Sequence, residues 1–310
     1  MRGPSRRRLL RSLAGMGAVA GVGALSACST SALTSSVGGA RSLTVGSKTF
    51  AESWIMGELY AQGLRGIGYQ VDLKTNVGSA QIIEQALHAG EIDLYPEYTG
   101  VIVVSLAGED GLLESAEATY EFARDWEAQQ GVAMLKATPF ENKNAIAVRA
   151  DFAQEHGLTS IEDLRGIGDF VYSTYPDNVS GAQGYEGIVE SYDLPNMKLQ
   201  TLSIGLNYQA IERGEIQAAD VFTTDPQLLR SDLVVLDDPL NLFGFQNVVP
   251  LLRDEVLESL DTEAIDLLDT INSLLTLEAI QTLNAASAVN RLDPAQVARE
   301  FLLANDLIEG

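Results

Sequence analysis

The chain has 310 residues, enough for two domains with a sizeable core, and carries 20 Lys and Arg against 43 Asp and Glu, a formal charge of −23. Such acidity repels nucleic acid and bare anionic lipid. One cysteine (Cys28) and two histidines (His88, His156) exclude a disulfide framework and leave little material for a zinc or histidine metal cluster, so no metal or other cofactor is expected.

Residues 5–11 read SRRRLLR, and the fifteen residues 13–27 are apolar or small up to Cys28. A basic head followed by an apolar run shorter than the ~18 residues of a spanning helix reads as an export signal over 1–27, with an N-terminal anchor helix as the alternative. LSAC at 25–28 resembles the lipobox of bacterial lipoproteins, in which the cysteine is lipidated and becomes the first mature residue. SRRRLLR resembles a twin-arginine signal, although ordinary signals also carry adjacent arginines. Without the leader, 15 basic groups face 43 acids, a charge of −28. Residues 28–42, rich in Ser, Thr and Gly with no apolar period, predict a flexible linker between lipid at Cys28 and the folded body.

From residue 43 the pattern alternates strand and helix. Residues 43–46 (LTVG) predict a short apolar strand, and Thr49 with Glu52 three residues on is a capping-box pair opening a helix that turns Trp54, Ile55, Leu59 and Leu64 inward. Residues 69–74 predict a second strand, 79–89 a second helix, and 92–95 a third strand running into a turn at Pro96. This order implies parallel sheets clothed by helices. ALHAGEIDLYPEY (86–98) and AIERGEIQAADVFTTD (210–225) then share a helix end, a Gly-Glu-Ile turn, a short apolar strand and a polar loop that begins with an aromatic residue. Gly90 and Gly214 stand 124 residues apart, too far for a solenoid and suited to one unit used once in each of two lobes, with chance likeness of αβ turns as the alternative. Apolar stretches at 145–149 and 247–252 can carry the chain into the second lobe and back. That places lobe one at 43–143 and 245–310 and lobe two at 144–244. Helical segments at about 261–274, 276–287 and 294–307 finish the chain, the last with Asp293 as N-cap and Pro294 at its first position.

No GxSxG, HExxH or GxxxxGK[ST] pattern occurs, and GSKTF stands where a GxGxxG would open the first βα unit, so nothing here calls for an enzyme. Paired acids such as Asp237 and Asp238, or Glu91 and Asp93, read as solvated faces. The informative residues lie in polar loops at strand ends, where open α/β sheets bind ligands. Gly46, Ser47 and Lys48 precede the first helix; its free amides with Lys48 suit an anionic group such as a carboxylate, or form a plain cap. Tyr95, Glu97 and Tyr98 beside Pro96 and Gly100 make an aromatic corner suited to an organic cation, or fill the core. Tyr208 and Phe245 are further ring candidates, provided the fold brings them together.

Together GSKTFAES (46–53), IDLYPEYTG (92–100), NKNAIAV (142–148), YQAIERGEI with FTTD (208–216 and 222–225) and the three terminal helices resemble the substrate-binding proteins of osmoprotectant ABC importers, the glycine betaine, choline and carnitine group. The resemblance runs from about residue 43 to the end. It implies an α/β, two-lobed, periplasmic-binding-protein-like (type II) clamshell, each lobe a mostly parallel sheet flanked by helices. It also implies a cage of rings for a trimethylammonium group, with Tyr98, Tyr208 and Phe245 as the carried-over rings and Lys48 as the carried-over lysine. Asn144 stands where relatives can place a cage tyrosine and is counted with the ligand-binding positions. Gly181 stands where some members have a carboxylate-binding arginine, Gln183-Gly184 replaces their DG, and Val101 replaces a threonine. A thinner cage with fewer carboxylate donors also fits another small solute.

The implied function is capture of a quaternary-ammonium compatible solute such as glycine betaine by a monomeric, extracytoplasmic protein held to the membrane by lipid alone. The protein then delivers the solute to an ABC permease with its ATPase, without catalysis and without contact with nucleic acid. The alternatives are a binding protein for a different amino acid, amine or osmolyte, a ligand-sensing lipoprotein without transport, and an enzyme on the same fold.

Overall fold

Short apolar strands alternating with helices must lie in sheets covered by those helices, and a computed structural model of the chain contains two such sheets. It describes residues 42–109, 113–229 and 231–310. The leader, Cys28 and all but the last residue of the linker lie outside them.

The chain first runs through β1 (Ser42–Gly46), α1 (Ala51–Gly66), β2 (Gln70–Lys74), α2 (Ala80–His88), β3 (Leu94–Tyr98), α3 (Thr99–Val101), α4 (Ala116–Gln129) and β4 (Val132–Met134). It continues through β5 (Asn144–Arg149), α5 (Ala150–His156), β6 (Phe170–Thr174), α6 (Tyr185–Tyr192), β7 (Met197–Thr201), α7 (Leu206–Glu212), β8 (Ala218–Phe222) and β9 (Leu233–Val235). It closes with β10 (Val248–Arg253), α8 (Asp254–Ser259), α9 (Thr262–Leu274), α10 (Leu277–Asn284) and α11 (Pro294–Ala304). The strand orders are β2-β1-β3-β10-β4 and β7-β6-β8-β5-β9, one pattern used twice. In each sheet four strands run one way and a single crossing strand, β10 or β5, lies antiparallel among them. This is the two-lobed α/β architecture that the resemblance implies, each sheet being mixed, with two parallel and two antiparallel strand pairings.

The Gly-Glu-Ile repeat is structural. Gly90 and Gly214 have φ of 69° and 71°, the left-handed turn that lets each chain leave its helix and enter a strand. Asp93 then donates its N–H to the Thr44 carbonyl (2.7 Å) and accepts the Thr44 N–H on its carboxylate (2.7 Å). Gln217 repeats this in the other sheet, donating to the Val171 carbonyl (3.0 Å) and accepting the Val171 N–H (2.9 Å). A Cβ at Gly90 or Gly214 would meet the guanidinium of Arg253 or Arg149, the last residue of β10 or β5 respectively.

Two local expectations are corrected. The first helix begins at Ala51 with Phe50 as N-cap and no side-chain cap bond, so Thr49 and Glu52 form no capping box. The Lys48 N–H donates to Ser53 Oγ (2.8 Å) instead, and Glu52 is drawn to the Tyr98 hydroxyl. The third strand does not stop at Pro96 but runs on to Tyr98. Pro96 faces Pro250 of β10, whose carbonyl accepts the Leu135 N–H on the far side, so the two prolines share a position at which neither needs an N–H to pair with the other. At the end of the chain, Asp293 accepts the Ala295 N–H (2.8 Å) and Pro294 opens α11, as the sequence predicts.

Candidate functional site

Parallel strands end where their helices begin, so the loops after β1 and β3 in one sheet and after β6 and β8 in the other gather side chains that need not be buried for packing. From these strand ends and loops Lys48, Phe50 and Tyr98 on one side, and Tyr175 and Phe222 on the other, wall a cavity of about 280 Å³, with Asn142 and Asn144 at the crossing between the sheets. Tyr98 and Phe222 hold equivalent places in the repeat, 124 residues apart like the two glycines.

Tyr98 is held rather than free. Its hydroxyl donates to Glu52 Oε1 (2.7 Å), its ring lies 6.1 Å from that of Phe50, and burial, with Glu52 next, pushes its pKa well above the ordinary tyrosine value. Lys48 sets its ammonium 4.7 Å from the centre of the Tyr98 ring and 5.8 Å from that of Phe50. That ammonium is bonded to Glu97, a fully buried carboxylate that also accepts the Tyr98 N–H (2.7 Å). The cation expected to hold an anion therefore has its charge met inside lobe one.

Glu52 is a hub for the surroundings. Besides the Tyr98 hydroxyl, it accepts Asn142 Nδ2 (2.9 Å) and Asn284 Nδ2 (2.7 Å). Asn284 also donates to the Thr224 carbonyl (3.1 Å) and Gln281 to the Thr223 carbonyl (2.8 Å), tying α10 to the loop after β8. A second cavity of about 380 Å³ opens there, between Phe50, Glu52, Phe222, Asp225 and Asn284. A third, of about 70 Å³, lies against lobe two and is walled in part by Tyr175, Tyr208, Asp220 and Phe222. Phe222 lines all three.

Of the residues singled out in the sequence, Lys48, Tyr98 and Asn144 share the first cavity. Tyr208 opens on the third, its hydroxyl donating to Asp225 Oδ2 (2.7 Å), and burial raises its pKa. Phe245 lines a separate space of about 20 Å³ beside Gly100, under the Lys143 ammonium at 5.4 Å from its ring centre. The fold thus does not bring Tyr208 and Phe245 into one cavity with Tyr98. Gly181 has φ of 102° and lines none of these cavities, whereas Gln183 lines the first; a side chain at 181 would be strained. Phe50, Tyr175 and Phe222 were not among the expected site residues. For Phe222 the signal was present, since it stands where the repeat places the partner of Tyr98.

The chain matches, over residues 41–304, the family described as the substrate binding domain of ABC-type glycine betaine transport systems. It is 29% identical over 282 residues to a glycine-betaine-binding protein of Pseudomonas aeruginosa, covering 87% of this chain and 90% of that one. Its fold is similar to that of apo YehZ from Escherichia coli, with a TM-score of 0.73 and 26% identity over 86% of this chain and 99% of that one. A glycine betaine/carnitine/choline ABC transporter structure shares the fold at a TM-score of 0.79 and 20% identity, covering 86% of this chain and all of the other.

Proposed function

Since the chain belongs to the family of substrate binding domains of ABC-type glycine betaine transport systems, we propose that it captures a quaternary-ammonium compatible solute such as glycine betaine between its lobes and delivers it to an ABC permease coupled to an ATPase. The observation that carries this reading is the aromatic wall of the 280 Å³ cavity, where Tyr98 and Phe50 from one sheet stand with Phe222 and Tyr175 from the other. Ring faces attract a methylated ammonium through their quadrupoles without asking it for a hydrogen bond. Lys48 does not oppose this attraction with a free positive charge, because Glu97 neutralises it. The mechanism is binding, closure of lobe two (144–244) on lobe one (43–143 and 245–310), and release, with no covalent step.

The basic and apolar leader ending in LSAC supports export and lipid attachment at Cys28, and the proposed protein works as a monomer outside the cytoplasm on a short tether. Among the described residues no helix is long and apolar enough to cross a membrane. Intact mass of the membrane-extracted protein should show loss of 1–27 and a gain of acyl mass, and Cys28→Ser should release the protein from the membrane fraction. A thermal-shift screen against glycine betaine, proline betaine, choline, carnitine and ectoine tests the binding reading. A ligand at a hundred times its Kd stabilises the native state by about 2.7 kcal/mol, and no shift with any of these compounds at millimolar concentration would reject it.

A further inference from the structure

The 70 Å³ recess on the lobe-two side has a chemistry that a methylated ammonium does not satisfy. Asp220, only 5% exposed, accepts Thr174 Oγ1 (2.7 Å) and Asn178 Nδ2 (3.0 Å) on Oδ2, while its Oδ1 is buried with no hydrogen-bond partner. Asn207, 9% exposed, gives its Nδ2 to the Asp220 main-chain carbonyl, and its own Oδ1 is also buried and unmet. Gln227 Oε1 is the third buried oxygen of the lining without a donor. All three are acceptors, and a buried acceptor left unmet is costly.

Charge points the same way as hydrogen bonding. The lining holds two carboxylates, Asp220 and Asp225, and among the described residues no basic side chain. The nearby ammonium groups at the first cavity are already committed, Lys48 to Glu97 and Lys143 to Glu141 (3.1 Å). Burial without a facing cation pushes the Asp220 carboxyl up to about 6. Tyr175 and Phe222 line both the recess and the aromatic cavity, so the two are neighbours, and the recess has room for one or two water-sized groups.

Resting on the binding reading above, we infer that the preferred solute carries, besides its methylated ammonium, a second cationic group with N–H donors, a protonated amine or amidinium, which enters the recess walled by Asp220, Asn207 and Gln227. The rings take the methylated head, which has no N–H to give, and the recess takes the donor head. Phe222 separates the two subsites and contacts both.

The test is calorimetric titration of the purified protein with a matched series. Each member is an α-trimethylammonio acid whose side chain of one to four methylenes ends either in a primary amine or in a methyl group. At least one amine-ended member should bind about ten-fold or more tightly than its methyl-ended counterpart. Asp220→Asn and Asn207→Leu, each checked by melting temperature, should bring that preference below about three-fold. The wild-type comparison stands without either variant. Equal binding of the two forms at every length means that the recess holds only water, which overturns this inference and leaves the quaternary-ammonium reading intact. A preference that survives both variants also overturns it. Binding of simple diamines that depends on Asp220, with no trimethylammonio compound bound, would support the recess and reject the reading on which its pairing with the rings rests.

Discussion

Replacing Lys48 by methionine is expected to cost the fold about 3–5 kcal/mol, the price of leaving a buried carboxylate without its counter-charge. Lys48 is 7% exposed and Glu97 is fully buried, so water reaches neither charge easily. Methionine preserves most of the apolar stem, which confines the change to the ammonium. After its removal, Glu97 Oε1 keeps the Tyr98 N–H, but Oε2, already without a partner, lies on an uncompensated anion. The lost contact between the ammonium and the Tyr98 ring adds up to about 1–2 kcal/mol. Adding Glu97→Gln removes the second charge and should restore stability to within about 1–2 kcal/mol of the wild type, because an absent pair costs far less than a broken one. Equilibrium urea unfolding of the wild type, both single variants and the double variant measures the coupling directly. A cost below about 1 kcal/mol for Lys48→Met, or additive effects in the cycle, would refute the pairing as an energetic unit.

Two further predictions concern buried polar groups around the same sheet. Glu127 on α4 is fully buried with neither oxygen partnered, and burial, with Glu84 and Glu97 adding, raises its carboxyl from 4.5 to about 9. A folded-state value above the unfolded one means that its contribution is intact below pH 4.5 and is lost as the pH climbs towards 9; the wild-type urea midpoint should therefore fall relative to Glu127→Gln across that window, and parallel profiles would refute the assignment. Asn284→Ala removes the bonds to Glu52 and to the Thr224 carbonyl, so it should cost about 1–3 kcal/mol and raise amide exchange at 222–225 more than in β2, whereas unchanged exchange in that loop would show that Asn284 does not restrain it.

Much of the fold could be read from the chain because alternation of short apolar runs with helical periods leaves few arrangements, and the repeated Gly-Glu-Ile turn marks the same βα junction in both sheets. The misreadings came from interactions between residues far apart in sequence. Glu52 looks like a capping residue until Tyr98, 46 positions away, claims its carboxylate. Pro96 looks like a turn until β10 supplies a proline opposite it. At the site, Tyr208 and Phe245 are carried over from the family resemblance, whereas Phe50, Tyr175 and Phe222, which line the first cavity with Tyr98, stand at or just after strand ends or at the start of α1. Phe222 occupies such an end and Phe245 does not. Neither the Lys48–Glu97 pairing nor the unmet oxygens of Asp220 and Asn207 leave any trace in local sequence, since each depends on which groups the fold places opposite them.

Calorimetric titration of glycine betaine, choline and carnitine into the wild type, Tyr98→Ala and Phe222→Ala tests the central claim that opposed rings from the two sheets hold a methylated ammonium. At least one of the three compounds should bind the wild type with one site per chain, and each alanine variant should weaken that binding by about 5- to 30-fold, the equivalent of a desolvated ring contact of about 1–2 kcal/mol. Binding of none of them, or undiminished affinity in both variants, would contradict it.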